Sequence, residues 1–188
     1  NIPFVLGIVQ VNAADTLEIQ AGVTVKFEGS GSYLQINGAG ALLRTLGTEP
    51  GPVWFTSLKD DQVGGDTNGD GSASIPAGGD YTAVFLNLEG RAELNNTSFA
   101  YGGSGGWANL ATSNGFPSSL TWNGGGSHDS ANDGVRVTPV ISSFANLQFN
   151  GNAQDGLELT PTVPPALDTI GATGNGGYGI RINQNPGS

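Results

Sequence analysis

The amino-acid sequence predicts an all-β chain that folds as a single parallel β-solenoid. Three observations predict this fold: strand-length apolar runs, Gly-rich turns between them, and a repeat of about one coil near the C-terminus. The 188 residues include 32 glycines, yet 37% of the chain is hydrophobic. Such a composition provides many tight turns together with enough apolar surface for a core. Helical periodicity is nearly absent, so we expect no helices between the strands.

Strand-length runs follow one another through the first half of the chain. Gly, Asn, Ser, Asp and Pro separate these runs, as is typical of β-turns. The runs are IVQV (8–11), LEI (17–19), VTVKF (23–27), YLQI (33–36), ALLRT (41–45), VWFTSL (53–58) and VFLNL (84–88). We expect residues 1–30 to form an entry region and coils to continue from there to about Leu58.

The C-terminal half contains a repeat with offsets of 22 and 23 residues. Three segments align: SANDGVRV (130–137), NAQDGLEL (152–159) and NGGYGIRI (175–182). Each contains a Gly followed by two apolar residues that flank a charged one. Leu147 and Ile170 match at the same spacing. A helix-free repeat of this length is about one coil of a parallel β-solenoid.

The repeat also predicts which side chains stack on one another. The apolar pair of each unit points inward and meets its equivalents at the spacing of paired strands, about 4.8 Å. The residues between them, Arg136, Glu158 and Arg181, point outward as a column of alternating charge, worth about 0.2 to 1 kcal/mol per pair. Asn152 and Asn175 fall in register and predict an amide ladder along one turn.

Two stretches interrupt the regular pattern. Residues 59–80 form an acidic inserted loop, and residues 101–130 are expected to form irregular Gly-rich loops. Regular coils then occupy 131–183, and one domain spans 1–188. Binding and catalytic residues concentrate on loops that project from a rigid scaffold, so any site is expected in one of the two interruptions.

The strand and repeat segments resemble a known architecture. The stretch AGVTVKFEGSGSYLQINGAGALLRTLGTEPGPVWFTSLKDDQVGGDTNGDGS is similar to the opening coils of bacterial secreted right-handed parallel β-helix proteins, and NAQDGLEL and NGGYGIRI resemble their later coils. The resemblance implies a right-handed solenoid and an extracellular or cell-surface location. This architecture includes polysaccharide lyases and hydrolases, adhesins, phage spikes and structural modules, so it does not specify a function.

The inserted loop contains a pattern of cation ligands. Asp66, Asn68 and Asp70, followed by Gly71, reproduce the D-x-[DN]-x-[DN]-G start of a calcium loop, where oxygens at alternate positions converge on the ion. The twelfth position is Ala77 instead of the glutamate of an EF-hand. An EF-hand is therefore excluded, and a calcium loop of another kind is predicted.

Further oxygen ligands for this calcium loop are available nearby. Asp60, Asp61 or Asp80 would replace the missing carboxylate, and a backbone carbonyl near Ser72 would complete the shell. In the sequence only Lys59 offsets the charge of the five loop aspartates, so a divalent cation would relieve their repulsion. The alternative is that Asp, Asn and Gly simply build consecutive turns.

The sequence gives weaker evidence for a catalytic site than for a calcium site. Asp129 and Asp133 lie near His128, the one histidine of the chain, and would form an acid/base group. Asp133, however, recurs one coil later as Asp155, which indicates a turn residue. We interpret His128 as a solvated loop residue. A polysaccharide lyase or hydrolase of the β-helix type remains an alternative function.

Two tryptophans offer a different alternative, a carbohydrate-binding module. Trp107 and Trp122 lie in Gly-rich stretches, where an exposed indole would stack on a sugar ring. The competing interpretation is that both residues cover the core at irregular coils. Polysaccharide is thus a possible partner under this alternative.

Charge and terminal residues point to the predicted function. The chain has 16 acidic and 6 basic residues, a net charge of −10, which disfavours nucleic acid and anionic membranes. No apolar run is long enough to insert into a membrane. The sequence stops soon after the apolar residue Ile182 without a capping segment. We therefore expect a non-catalytic extracellular structural or adhesive module with a calcium-stabilised loop, either a segment of a larger surface protein or a subunit that stacks on copies of itself.

Overall fold

The computed structural model describes residues 2–112, 118–137, 140–161 and 163–183. Within them the chain forms a parallel β-solenoid of about seven turns, as predicted. The strands are β1 (Phe4–Leu6), β2 (Ile8–Val11), β3 (Thr16–Ile19), β4 (Thr24–Phe27), β5 (Tyr33–Asn37), β6 (Leu42–Thr45), β7 (Val53–Ser57), β8 (Ala83–Asn87), β9 (Arg91–Ala100), β10 (Leu110–Thr112), β11 (Ser118–His128), β12 (Val135–Val137), β13 (Val140–Asn150), β14 (Leu157–Leu159), β15 (Ala166–Thr173) and β16 (Ile180–Ile182). A single 3₁₀ turn occurs in these residues, at Ser104–Gly106. None of the described residues forms a helix with the length and apolar character needed to cross a membrane.

The strands form three parallel faces around one core. Face 1 is a seven-stranded sheet of β2, β5, β8, β10, β12, β14 and β16. A nine-stranded sheet supplies the other two faces. Face 2 contains β3, β6 and the first halves of β9, β11, β13 and β15, whereas face 3 contains β1, β4, β7 and the second halves of the same long strands. Each coil therefore crosses the three faces in turn.

A left-handed residue lets each long strand continue from face 2 to face 3. At this corner φ is 37° at Asn96, 80° at Gly124, 56° at Asn146 and 51° at Thr169. A positive φ reverses the local direction of the backbone, and Gly and Asn adopt it most readily. One strand can thus bend around the corner without a separate loop.

The predicted register of the repeat is confirmed. Val135 pairs with Leu157, which pairs with Ile180. The repeated glycine is explained by close approach of the next coil: a Cβ on Gly156 would lie 2.5 Å from the carbonyl oxygen of Gly179. The amide ladder is also present, because Nδ2 of Asn152 donates to Oδ1 of Asn175 at 2.9 Å.

The core runs along the axis of the solenoid. On face 1 its inner column is Leu34, Val84, Leu110, Val135 and Leu157, all without solvent exposure. An aromatic column lies inside the coils between faces 2 and 3. Phe55, Phe99 and Phe149 point inward from face 3, and Trp122 points inward from the first half of β11 on face 2. In the order Phe55, Phe99, Trp122 and Phe149, successive ring centroids lie 4.9, 5.3 and 5.9 Å apart.

Two stretches are more regular than the sequence indicates. Residues 1–30, expected as an entry region, already contribute β1 to β4 to the stack. Residues 101–130, expected as irregular loops, contribute β10 and the eleven-residue β11. The glycines of this stretch predicted loops, but Gly124 and Gly125 lie at the corner within strand β11.

Candidate functional site

The acidic loop between β7 and β8 folds back over the outer side of β4. Lys26 of β4 is buried beneath it, and its Nζ donates to the carbonyl oxygens of Asp60 at 2.8 Å and Gly65 at 2.6 Å. Burial lowers the pKa of Lys26, and the charges of Asp60, Asp61 and Asp66 oppose this shift. The fold therefore places a second cation, Lys26, under the loop. From the sequence, only Lys59 was expected to offset the charge of the loop.

Asp60 and Asp80 belong to the base of the loop. The carboxylate of Asp60 accepts hydrogen bonds from Thr56 Oγ1 at 2.7 Å and from the backbone N–H of Gln62 at 3.1 Å. Asp80 accepts from Ser57 Oγ and pairs with Lys59 Nζ, both at 2.7 Å. Neither carboxylate is placed with the D-x-N-x-D segment.

The structure instead brings Asp61 to Asp66 and Asp70. One carboxylate oxygen of each lies within 4.8 Å of the others. Oδ1 of Asp61 is buried and has no hydrogen-bond partner among the described residues. A divalent cation between the three groups would satisfy this oxygen and offset their charge.

Hydrogen bonds within the loop already engage the other two carboxylates. Asp66 accepts from the backbone N–H groups of Gly69 at 2.8 Å, Asp70 at 3.2 Å and Gly71 at 2.9 Å. Asp70 accepts from Ser74 Oγ at 2.5 Å and, through the same oxygen, from the Asn68 amide at 2.9 Å. The hydrogen bond from Ser74 is the main cause that lowers the pKa of Asp70.

Of the remaining predicted ligands, Ser72 lines a cavity beside the cluster. Its volume is about 300 Å³, and Asp60, Asp61 and Ser74 also line it. The side chain of Asn68 is held by two hydrogen bonds, which Nδ2 donates to Asp70 and to Ser74 Oγ. Its Oδ1 accepts the backbone N–H of Asp70 at 3.4 Å, so Asn68 both donates and accepts hydrogen bonds within the turn.

A second acidic cluster lies on the outer side of face 1. It contains Asp133, Asp155 and Glu158. Arg136 pairs with Asp133 and, at 3.2 Å, with Glu158, whereas Arg181 pairs with Asp155 at 2.8 Å. The two guanidinium groups thus neutralise most of this cluster, and the predicted outward column of alternating charge is present.

The two aspartates of this cluster also connect the coils. Oδ1 of Asp133 accepts the backbone N–H of Asp155 at 2.9 Å, and Oδ1 of Asp155 accepts that of Tyr178 at 2.7 Å. Asp133 is therefore a recurring turn residue, as the repeat predicts.

His128 is the last residue of β11 instead of a solvated loop residue. Its Nδ1 lies 2.8 Å from Oδ2 of Asp129. Its ring packs edge-on against Trp54 and Tyr101, with centroid distances of 5.7 and 6.0 Å. Trp54, Tyr101, His128 and Asp129 together are called the His128 cluster below.

Sequence reasoning missed two members of this cluster, Trp54 and Tyr101. A signal was present in the alternation of VWFTS, where Val53 and Phe55 point inward and Trp54 therefore points outward. On the intervening strand β9, Ser98 is in register with Trp54 and Ala100 with His128. These small side chains leave the rings of β7 and β11 free to approach each other.

The two predicted carbohydrate-binding tryptophans occupy different environments. Trp122 is 2% exposed, and its Nε1 donates to the carbonyl oxygens of Thr97 and Gly124. It is a core residue and offers no surface for stacking. Trp107 is 39% exposed and meets Phe85 edge-on at 4.9 Å, covering a small apolar cluster outside face 1.

No protein-family model matches this chain, and neither does any curated protein or solved structure.

Proposed function

We propose that the chain is a non-catalytic structural or adhesive module of an extracellular bacterial surface. In this function the solenoid is a rigid spacer whose terminal coils stack on further β-structure. Outward charges between the coils support a structural function, because ion pairs connect Glu18, Arg44 and Glu93 across three successive strands of face 2. The resemblance to secreted β-helix proteins supports the location.

Exposed apolar residues on the first and last described coils support this proposal. Phe4 and Ile182 face inward, as their partners Val25 and Leu159 do, yet they are 62% and 53% exposed whereas Leu159 has no exposure. At the β1 end an apolar cavity of about 270 Å³ opens between inward side chains. Residues 184–188 lie outside the described ranges. Covering these coils with another β-layer would bury apolar surface and pair free strand edges.

A second copy of this chain, stacked head to tail, would provide a β-layer that matches the exposed terminal coil. Sedimentation equilibrium should therefore give an average mass that rises with protein concentration. Phe4→Asp and Ile182→Asp should each weaken association about tenfold or more, because an unpaired carboxylate would be buried in the contact. Mixing the two variants should restore association as far as dimers, since one retains an intact β16 end and the other an intact β1 end.

Ile141→Asp is the matched control for these substitutions. Ile141 is 66% exposed on face 2, away from either terminal coil, so this variant should associate like the parent chain. A monomer at all concentrations would exclude self-stacking and leave the alternative in which flanking coils of a longer protein cover the ends. Equal weakening by Ile141→Asp would contradict the end-to-end geometry.

The proposed module includes a calcium-stabilised loop. The observation that supports it is the convergence of Asp61, Asp66 and Asp70 on one point, with a buried, unpartnered oxygen on Asp61. Calcium at about a hundredfold excess over Kd should raise Tm by about 5 to 10 °C. Asp61→Asn and Asp70→Asn should abolish the increase, measured by calorimetry with calcium or with a chelator.

Asp15→Asn is the control, because Asp15 is an exposed acid outside the loop. It should retain the full response to calcium. A Tm that calcium and chelator leave unchanged in the parent chain would show that hydrogen bonds alone hold the loop.

A further inference from the structure

The His128 cluster contains polar atoms that the proposed structural function does not use. The side chains of His128 and Asp129 are 32% and 49% exposed. An ionised carboxylate only accepts hydrogen bonds, so Nδ1 of a neutral His128 donates to Asp129 and Nε2 is an acceptor. Among the described residues, neither Nε2 of His128 nor Oδ1 of Asp129 has a hydrogen-bond partner. Two acceptors without a partner therefore lie on partly exposed side chains beside the rings of Trp54 and Tyr101.

Two carboxylates, Asp60 and Asp129, act on the ring of Tyr101 in this cluster. Burial and then the charges of Asp60 and Asp129 raise the pKa of Tyr101. The two lysines of the loop region act on acids of the loop itself: Lys26 interacts with Asp60, Asp61 and Asp66, and Lys59 forms an ion pair with Asp80. A cation is favoured at this surface, whereas a carboxylate or phosphate is repelled.

Two members of the cluster hold a backbone conformation that favours glycine. Tyr101 and Asp129 occupy equivalent corner positions after β9 and β11, with φ of 67° and 52°. The next two coils place Gly151 and Gly174 at this corner, with φ of 65° and 67°. Strained side chains of this kind concentrate at binding sites, and here both belong to one cluster.

We propose that the His128 cluster binds a guanidinium group. A guanidinium group is planar, permanently charged and rich in N–H donors, and it stacks on aromatic faces. Its donors would reach Oδ1 of Asp129 and Nε2 of His128, while its face would contact Trp54 or Tyr101 as a cation–π pair. The group would come either from a free small molecule or from an arginine side chain of a peptide.

The first test compares three probes by NMR: arginine amide, its neutral isostere citrulline amide, and the peptide Gly-Gly-Arg-Gly-Gly. The indole N–H signal of Trp54, assigned from its loss in Trp54→Phe, should shift saturably with both arginine probes and stay unchanged with citrulline amide. Tighter binding of the peptide would assign the site to a protein partner, and equal binding would assign it to a small molecule. No response to arginine, or an equal response to citrulline, would overturn the proposal.

The second test uses variants that the fold itself indicates. Tyr101→Gly and Asp129→Gly place at this corner the residue that the next coils already have, so Tm should not fall. Each should weaken arginine binding about three- to tenfold. Trp107→Phe, on face 1, should leave binding unchanged. Full binding by both glycine variants would refute the site.

Discussion

Tyr81 shows how one residue can combine favourable and unfavourable contacts. It is fully buried, and its ring stacks on Phe27 with centroids 4.2 Å apart and planes 17° apart. Its hydroxyl is buried without a hydrogen-bond partner in the described residues. The ring therefore stabilises the core, whereas the hydroxyl loses its contact with water and gains nothing in return.

Tyr81→Phe should increase the free energy of unfolding by about 1 kcal/mol at neutral pH, because it removes only the unsatisfied group. The advantage should grow with pH. Burial raises the pKa of Tyr81 above its ordinary value of 10.0, so above that pH the unfolded chain loses the proton while the folded chain keeps it. The folded state of the parent chain thus loses stability there, and the variant does not.

Urea unfolding of both proteins between neutral pH and pH values above 10 measures this difference. Tyr33→Phe is the control, since Tyr33 is only partly buried on the outside of face 1. A less stable Tyr81→Phe would mean that the hydroxyl has a partner, such as an internal water. A difference independent of pH would contradict the burial effect.

Strands were the most predictable elements because their signal is local. Each of the seven apolar runs is a strand, with ends that differ by at most one residue from the prediction. Strands β9 and β13 were missed, since Asn96 and Asn146 resemble turn residues in the sequence. They are turn residues, but the turn is a corner within one strand, and only the stacking of coils reveals it.

The candidate sites were less predictable, because they depend on the path of loops between coils. The spacing of Asp66, Asn68 and Asp70 was visible in the sequence, but the choice of Asp61 over Asp60 as the third carboxylate depends on how the loop folds onto β4. Lys26 looks like an ordinary outward residue of a strand. Its burial follows from the loop that covers it, and no local pattern encodes that cover.

At the scale of the whole molecule, the solenoid is a stack in which each coil contacts only its neighbours. Stability in such a stack is a sum of local terms, and among the described residues the first and last coils contact a neighbour on one side only. The two ends nevertheless differ. At the β1 end, the acidic loop covers β4 and binds Lys26 through two carbonyl oxygens, whereas β16 has no such loop over it in the described residues.

Hydrogen exchange at low protein concentration should therefore show three levels of protection. The central strands, such as β8 and β11, should exchange most slowly, β4 should be intermediate, and β16 should exchange fastest. Lys26→Met should speed exchange of β4 and of the loop about ten- to a hundredfold, because it removes both hydrogen bonds of a buried charged donor and leaves the carbonyl groups of Asp60 and Gly65 without it. Mass spectrometry of peptides from each strand measures these rates.

Lys59→Met separates the contribution of the buried amine from that of loop charge in general. Lys59 has a side chain that is 45% exposed and pairs with Asp80 at the loop end, and exposed ion pairs contribute at most about 1 kcal/mol. It should change the exchange of β4 much less than Lys26→Met, and neither variant should affect β16. Faster exchange along the whole chain in Lys26→Met would instead mean that the stack unfolds as one cooperative unit, so that the loop stabilises every coil through β4.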